Sequence, residues 1–168
     1  MLDRYERILE RSRERAALIK RQMKYLGRFD IKNFDHIVRD YQDEAFEEVD
    51  CLQCGNCCRK VGPRFGESDV KRLARVVGFD RAAFVRDVLV RDEDPGWRLR
   101  TLPCPYVGED NRCSVYEDRP RDCESYPYLA ERGIQRSLGR LAFNTGFCPA
   151  ACLVAERIME RFADGQTK

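Results

Sequence analysis

Histidine is nearly absent, for His36 stands alone in a chain of 168 residues. One histidine on a helical pattern is a surface or packing residue before it is a ligand or a proton carrier. Long apolar runs are missing too. No stretch approaches the roughly 18 residues that suggest a membrane span. The opening Met1-Leu2-Asp3-Arg4-Tyr5-Glu6-Arg7 lacks the apolar core of a secretion signal, so the expectation is a cytoplasmic protein. Net charge is almost nil: 31 basic against 29 acidic residues leave +2. The isoelectric point near 8.1 lies below the value of about 9 expected of a nucleic-acid-binding domain. No glycine-rich loop follows a strand, which withholds support from a nucleotide or S-adenosylmethionine fold. Repeats and linkers are absent, and only Gly165-Gln166-Thr167-Lys168 reads as a frayed end.

What the chain has in excess is cysteine and charge. Charged residues make up 36%, against roughly 25% for an ordinary soluble domain. Nine cysteines in a reducing compartment, an odd number at that, point to metal rather than to disulfides. Four of them crowd into Cys51-Leu52-Gln53-Cys54-Gly55-Asn56-Cys57-Cys58. Two-residue gaps let a tight turn aim successive thiolates at one soft or borderline ion. Gly55 and Asn56 both tolerate the positive φ such a turn needs.

The remaining pattern is largely helical. Residues 2 to 26 form one expected helix, with apolar residues at Leu2, Tyr5, Leu9, Ala16, Ile19, Met23 and Leu26 and a stop at Gly27. Its arginines read as a solvated face, since acids are interleaved. An acidic helix follows over residues 31 to 50, so residues 1–50 are expected to pair as a helical hairpin open to a protein partner. Ser68 reads as the N-cap of a helix over 69–77, and Asp80 as the cap of another carrying Phe84 and Val88. Asp92-Glu93-Asp94-Pro95-Gly96 is a turn, and Trp97 to Leu102 alternates as a strand. Cys104 and Cys113 lie on the arms of a hairpin around Gly108-Glu109-Asp110-Asn111. Cys123 falls in a proline-flanked, irregular ligand loop. An irregular stretch over 134–147 leads to Cys148-Pro149 and a terminal helix. In that helix Cys152, beside alanines, reads more simply as core than as a ligand.

These pieces together resemble the CxxCxxCC cysteine-cluster family, zinc- or iron-chelating proteins of the YkgJ type. The resemblance rests on Cys51-x-x-Cys54-Gly-Asn-Cys57-Cys58-Arg59, Ser68-Asp69-Val70 and Leu102-Pro103-Cys104-Pro105-Tyr106. It continues through Cys113-Ser114-Val115-Tyr116-Glu117-Asp118-Arg119-Pro120, Cys123, Tyr126-Pro127 and Cys148-Pro149, somewhat over half the chain. It implies eight ligating thiolates: Cys51, Cys54, Cys57, Cys58, Cys104, Cys113, Cys123 and Cys148. The family also contains flagellin lysine N-methylase, which implies an alternative role in methyl or alkyl transfer. Glu124 stands where the family pattern has a basic residue.

The expected architecture is mainly α with a small β-hairpin. A single cysteine-rich domain over 51–152 is organised around one or two metal centres, with 1–50 before it and a helix and tail over 153–168 packed on it. Adjacent side chains usually diverge, so Cys57 and Cys58 are expected to serve different centres, with a neighbouring pair of metals sharing a bridging thiolate as the alternative. The simplest division joins Cys51, Cys54 and Cys57 to Cys148, and Cys58 to Cys104, Cys113 and Cys123. The first set resembles the ligand pattern of bacterial ferredoxins, which suits a [4Fe–4S] cluster, and zinc meets the same spacings. Zinc, iron or an iron–sulfur cluster is therefore the expected cofactor. Its role is structural, metal handling or electron transfer, with a transferase component or a partner-binding adaptor as the alternatives. Tyr106, Tyr116, Tyr126 and Arg119 are candidates for tuning the centre through hydrogen bonds.

Overall fold

Helical periodicity dominates the computed structural model, which describes residues 2–93 and 96–163, the side chain of residue 2 excepted. Part of the expected 92–96 turn and the 165–168 tail lie outside those residues. The chain divides into two compact units, residues 1–50 with 127–168 and residues 51–126. It is mainly α with a small antiparallel sheet, as the pattern implied.

In the first unit the expected helix over 2–26 is two, α1 (Leu2–Glu14) and α2 (Ala16–Leu26). The break at Arg15 is a kink, because the Arg15 N–H still bonds the Arg11 carbonyl at 3.3 Å. α3 (Phe34–Glu48) is the acidic helix. The terminal helix, named α10 below, covers Pro149–Arg161 and buries Ala150, Ala151, Cys152 and Ala155 completely. Those small side chains let α1 and α3 approach it closely. Charges close the seams: Arg11 forks onto Glu156 at 2.8 and 2.7 Å, and Arg157 reaches Glu44 and Glu48 at 3.1 and 3.0 Å. Thus the C-terminal helix shares a unit with the amino-terminal helices. The stretch expected to be irregular is a 3-10 turn (Ile134–Ser137) and a helix over Leu138–Asn144, whose Leu138 and Leu141 are buried. From that turn the Gln135 amide donates to the Leu26 and Phe29 carbonyls at 3.0 and 2.7 Å, satisfying the end of α2.

The second unit holds α4 (Cys51–Cys54), α5 (Asn56–Lys60), β1 (Arg64–Phe65), α6 (Glu67–Val76), α7 (Arg81–Val88), β2 (Leu89–Arg91), β3 (Trp97–Leu99) and α8 (Arg121–Ser125). The two helices of 134–161 described above are α9 (Leu138–Asn144) and α10. The sheet order is β1-β3-β2, antiparallel throughout, with Phe65 opposite Trp97 and Leu89 opposite Leu99. Asp80 caps α7 as expected, accepting from the Ala83 N–H at 2.9 Å. Ser68 does not cap α6. Gly66 holds that position, and Asp69, three residues on, accepts its N–H at 3.1 Å. The core joins Phe65, Val70, Leu73, Phe84, Leu89 and Leu99 to Cys104 and Val115. The scaffold thus runs straight into the cysteine-bearing segments.

Candidate metal centre

The Cys51–Cys58 stretch, expected to be a tight turn, is two short helical segments. α4 and α5 are single turns separated by Gly55 at φ +58°, while Asn56 starts α5. A Cβ on Gly55 would lie 2.8 Å from the Asn111 Cβ, so glycine meets both a conformational and a steric need there. Three-residue spacing on a helical turn places Cys51 and Cys54 on one side. Cys51 is exposed, and Cys54, Cys57 and Cys58 are half-buried.

Adjacent thiols do meet here. A hydrogen bond from Cys57 is the largest influence on Cys58 and helps hold its pKa down to about 7, aided by its own N–H and by Arg59 and opposed by burial. Steric divergence therefore gives no reason to assign the two to separate centres. A stronger one comes from the company Cys58 keeps.

The Cys104 N–H bonds the Cys58 carbonyl at 2.8 Å, tying the two cysteine-bearing segments backbone to backbone. Val107 and Cys113 form an isolated antiparallel bridge, and the Ser114 N–H reaches the Tyr106 carbonyl at 2.8 Å, closing the expected hairpin. Cys123 lies on α8 and not on an irregular loop, for Pro120 is the N-cap and its carbonyl accepts the Cys123 and Glu124 N–H groups at 2.9 and 3.2 Å. The Asp122 carboxylate accepts the Arg64 N–H at 2.9 Å, holding α8 to β1.

Burial pushes the Cys104 thiol up to about 11, with Cys58 and Cys113 adding to the rise. Cys113 is raised by burial and by Cys58. Cys123 is driven upward by burial first, then by Cys58, Cys104, Asp122 and Cys113. Cys104, Cys113 and Cys123 thus each feel Cys58 across a desolvated space. Backbone amides oppose the rise: Tyr106 and Val107 N–H groups face the Cys104 sulfur, and the Val115 N–H faces Cys113. Amides aimed at sulfur favour the thiolate, the form that binds metal.

Among the described residues no three cysteine, histidine or carboxylate side chains stand where they grip one ion. In donor chemistry the four sulfurs and their amides fit zinc or iron.

Of the eight expected ligands, seven lie in the second unit. Cys148 belongs to the first, buried at the N-cap of α10. Cys152 is buried in the same helix, its Sγ donating to the Thr145 carbonyl at 3.0 Å, and burial pushes its pKa up to about 11. Among the tuning candidates, Arg119 stacks over Tyr116 at 4.0 Å and lowers the pKa of Cys113. Burial pushes Tyr106 up to about 12. Sequence reasoning missed Asp69, Arg72 and Asn111 as residues that hold the cysteine-bearing segments. Asn111 carried a signal only as a turn residue.

A family model, CxxCxxCC, described as "Putative zinc- or iron-chelating domain", matches residues 50–152. No curated protein and no solved structure gives a match.

Proposed function

Because the chain belongs to the CxxCxxCC family of zinc- or iron-chelating domains, we propose that it holds its metal through a four-thiolate centre of Cys58, Cys104, Cys113 and Cys123. The observation that carries this reading is the backbone tie of Cys104 to Cys58 at 2.8 Å and the Val107–Cys113 bridge, supported by the influence of Cys58 on the other three thiols. Four thiolates complete a structural zinc site or hold one iron–sulfur cluster and leave no open position for a substrate. Cys51, Cys54, Cys57 and Cys148 are further proposed ligands on the sequence pattern.

The role the centre fits best is structural. Between Thr101 and Tyr126 regular structure amounts to a 3-10 turn, the short α8 and an isolated bridge. A four-thiolate zinc site is worth about 10–16 kcal/mol, against a whole-domain stability of about 5–15 kcal/mol. Within this chain Arg119 sets the charge beside Cys113, and the Tyr106, Val107 and Val115 amides hold the thiolate form.

Anaerobic purification, metal analysis and an absorption spectrum test the proposal. Serine variants of Cys58, Cys104, Cys113 and Cys123 should each lose the same equivalent of metal. A Cys123→Ser protein with full metal content and an unchanged spectrum would overturn the assignment.

A further inference from the structure

The turn between Cys104 and Cys113 is bolted to the Cys51–Cys58 stretch by one side chain. Asn111, at φ +69°, accepts at its amide oxygen from Arg59 Nε at 3.0 Å and from Arg59 Nη2 at 2.8 Å. Its amide nitrogen donates to the Gln53 carbonyl at 3.0 Å. The same Arg59 Nη2 reaches the Gly108 carbonyl at 2.9 Å. Gln53 directly precedes Cys54 and Arg59 directly follows Cys58. Asn111 therefore holds both flanks of the Gly55 hinge at once.

From this geometry we infer that Arg59 and Asn111 are positioning residues for the metal centre, an inference that rests on the metal-binding reading above. The Cys104 N–H to the Cys58 carbonyl is one tie between the two ligand segments. The Asn111 clamp is a further tie, and it reaches both sides of Gly55. With both in place, the backbone segments that carry Cys58, Cys104 and Cys113 are tied to one another before any ion arrives. Ordering them then costs less at the moment of binding. The clamp also explains Gly55, since a side chain there would displace Asn111.

Cobalt(II), whose thiolate charge-transfer and d–d bands report both the number and the arrangement of sulfur ligands, is the probe. Asn111→Gly deletes the clamp while relieving the positive φ, so backbone strain does not confuse the result. Outer contacts of this kind are typically worth about 10–100-fold in metal affinity. Asn111→Gly should bind cobalt weaker by that factor with a shifted d–d envelope. Asn111→Asp keeps the Arg59 acceptor, loses the donor to Gln53, and should fall between. Asn111→Gly with wild-type affinity and spectrum overturns the inference, whereas wild-type protein without thiolate bands would defeat the metal reading itself. If Asn111→Gly does not fold, Arg59→Lys, which keeps the charge but not the fork, replaces it. Unchanged affinity and bands in Arg59→Lys then overturn the inference equally.

Discussion

Asp69 and Arg72 form an ion pair at 2.8 Å in which the carboxylate is almost wholly buried and the guanidinium about one-third exposed. The pair does more than bridge one helical turn. Arg72 also donates to the Arg119 carbonyl at 2.9 Å, and the Asp69 carboxylate accepts the N–H groups of Gly66 and Arg121 at 3.1 and 3.3 Å. One carboxylate thereby starts α6 and anchors the segment leading to Cys123.

Replacing Asp69 with alanine should cost about 3 kcal/mol, because it leaves a guanidinium and two N–H groups without their acceptor. Asp69→Asn keeps the shape and part of the hydrogen bonding and should cost less. Urea unfolding of the metal-free proteins checks the order. An alanine variant as stable as wild type would show the carboxylate to be dispensable.

Phe84 is fully buried and meets Phe65 edge-on with ring centroids 6.3 Å apart. Phe84→Ala should destabilise by about 3–5 kcal/mol through lost transfer energy and a residual cavity. Saturating metal should raise the variant's melting temperature, since an ion that binds only the folded form adds stability by mass action. Thermal melts with and without metal measure both effects.

The cysteine pattern was the most legible part of the sequence, because thiols at short spacing have few other uses, and the CxxCxxCC family model spans it. Asp80 was equally plain as a cap. What escaped were features that depend on a distant partner. Ser68 looked like the cap of α6, but Asp69 reaches back to the Gly66 N–H and moves the start two residues earlier. β1 and β2, at two and three residues, are too short for alternation to show, and they exist because β3 pairs with both. The apolar stripe of α10 announced a buried face without saying that α1 and α3 would cover it. α9 carries a glycine and is seven residues long, below the length at which periodicity decides.

Removing metal should disturb the second unit selectively. Trp97 is the chain's one tryptophan and lies on β3, with Arg91 stacked over it at 4.1 Å. Its emission should shift to the red on chelation, while much of the helical circular dichroism, carried by α1, α2, α3 and α10, persists. Emission unchanged after complete removal of metal would argue against a structural centre.

Cys152 gives the pH dependence a clear sign. Burial pushes its thiol from the usual value near 9 to about 11, and its Sγ–H bond to Thr145 is retained only while it stays protonated. The native state therefore holds this proton more tightly than the unfolded chain does. Its stabilisation is complete below about pH 9 and is lost as pH rises toward 11, to an extent on the order of 2 kcal/mol. The stability difference between wild type and Cys152→Ala, measured by urea unfolding across that range, isolates the effect because every other thiol cancels. The difference should be level below pH 9 and shrink above it, with metal content the same in both proteins. A difference that stays level to pH 11 would mean that Cys152 does not hold its proton more tightly when folded, and a Cys152→Ala protein that loses metal would make it a ligand.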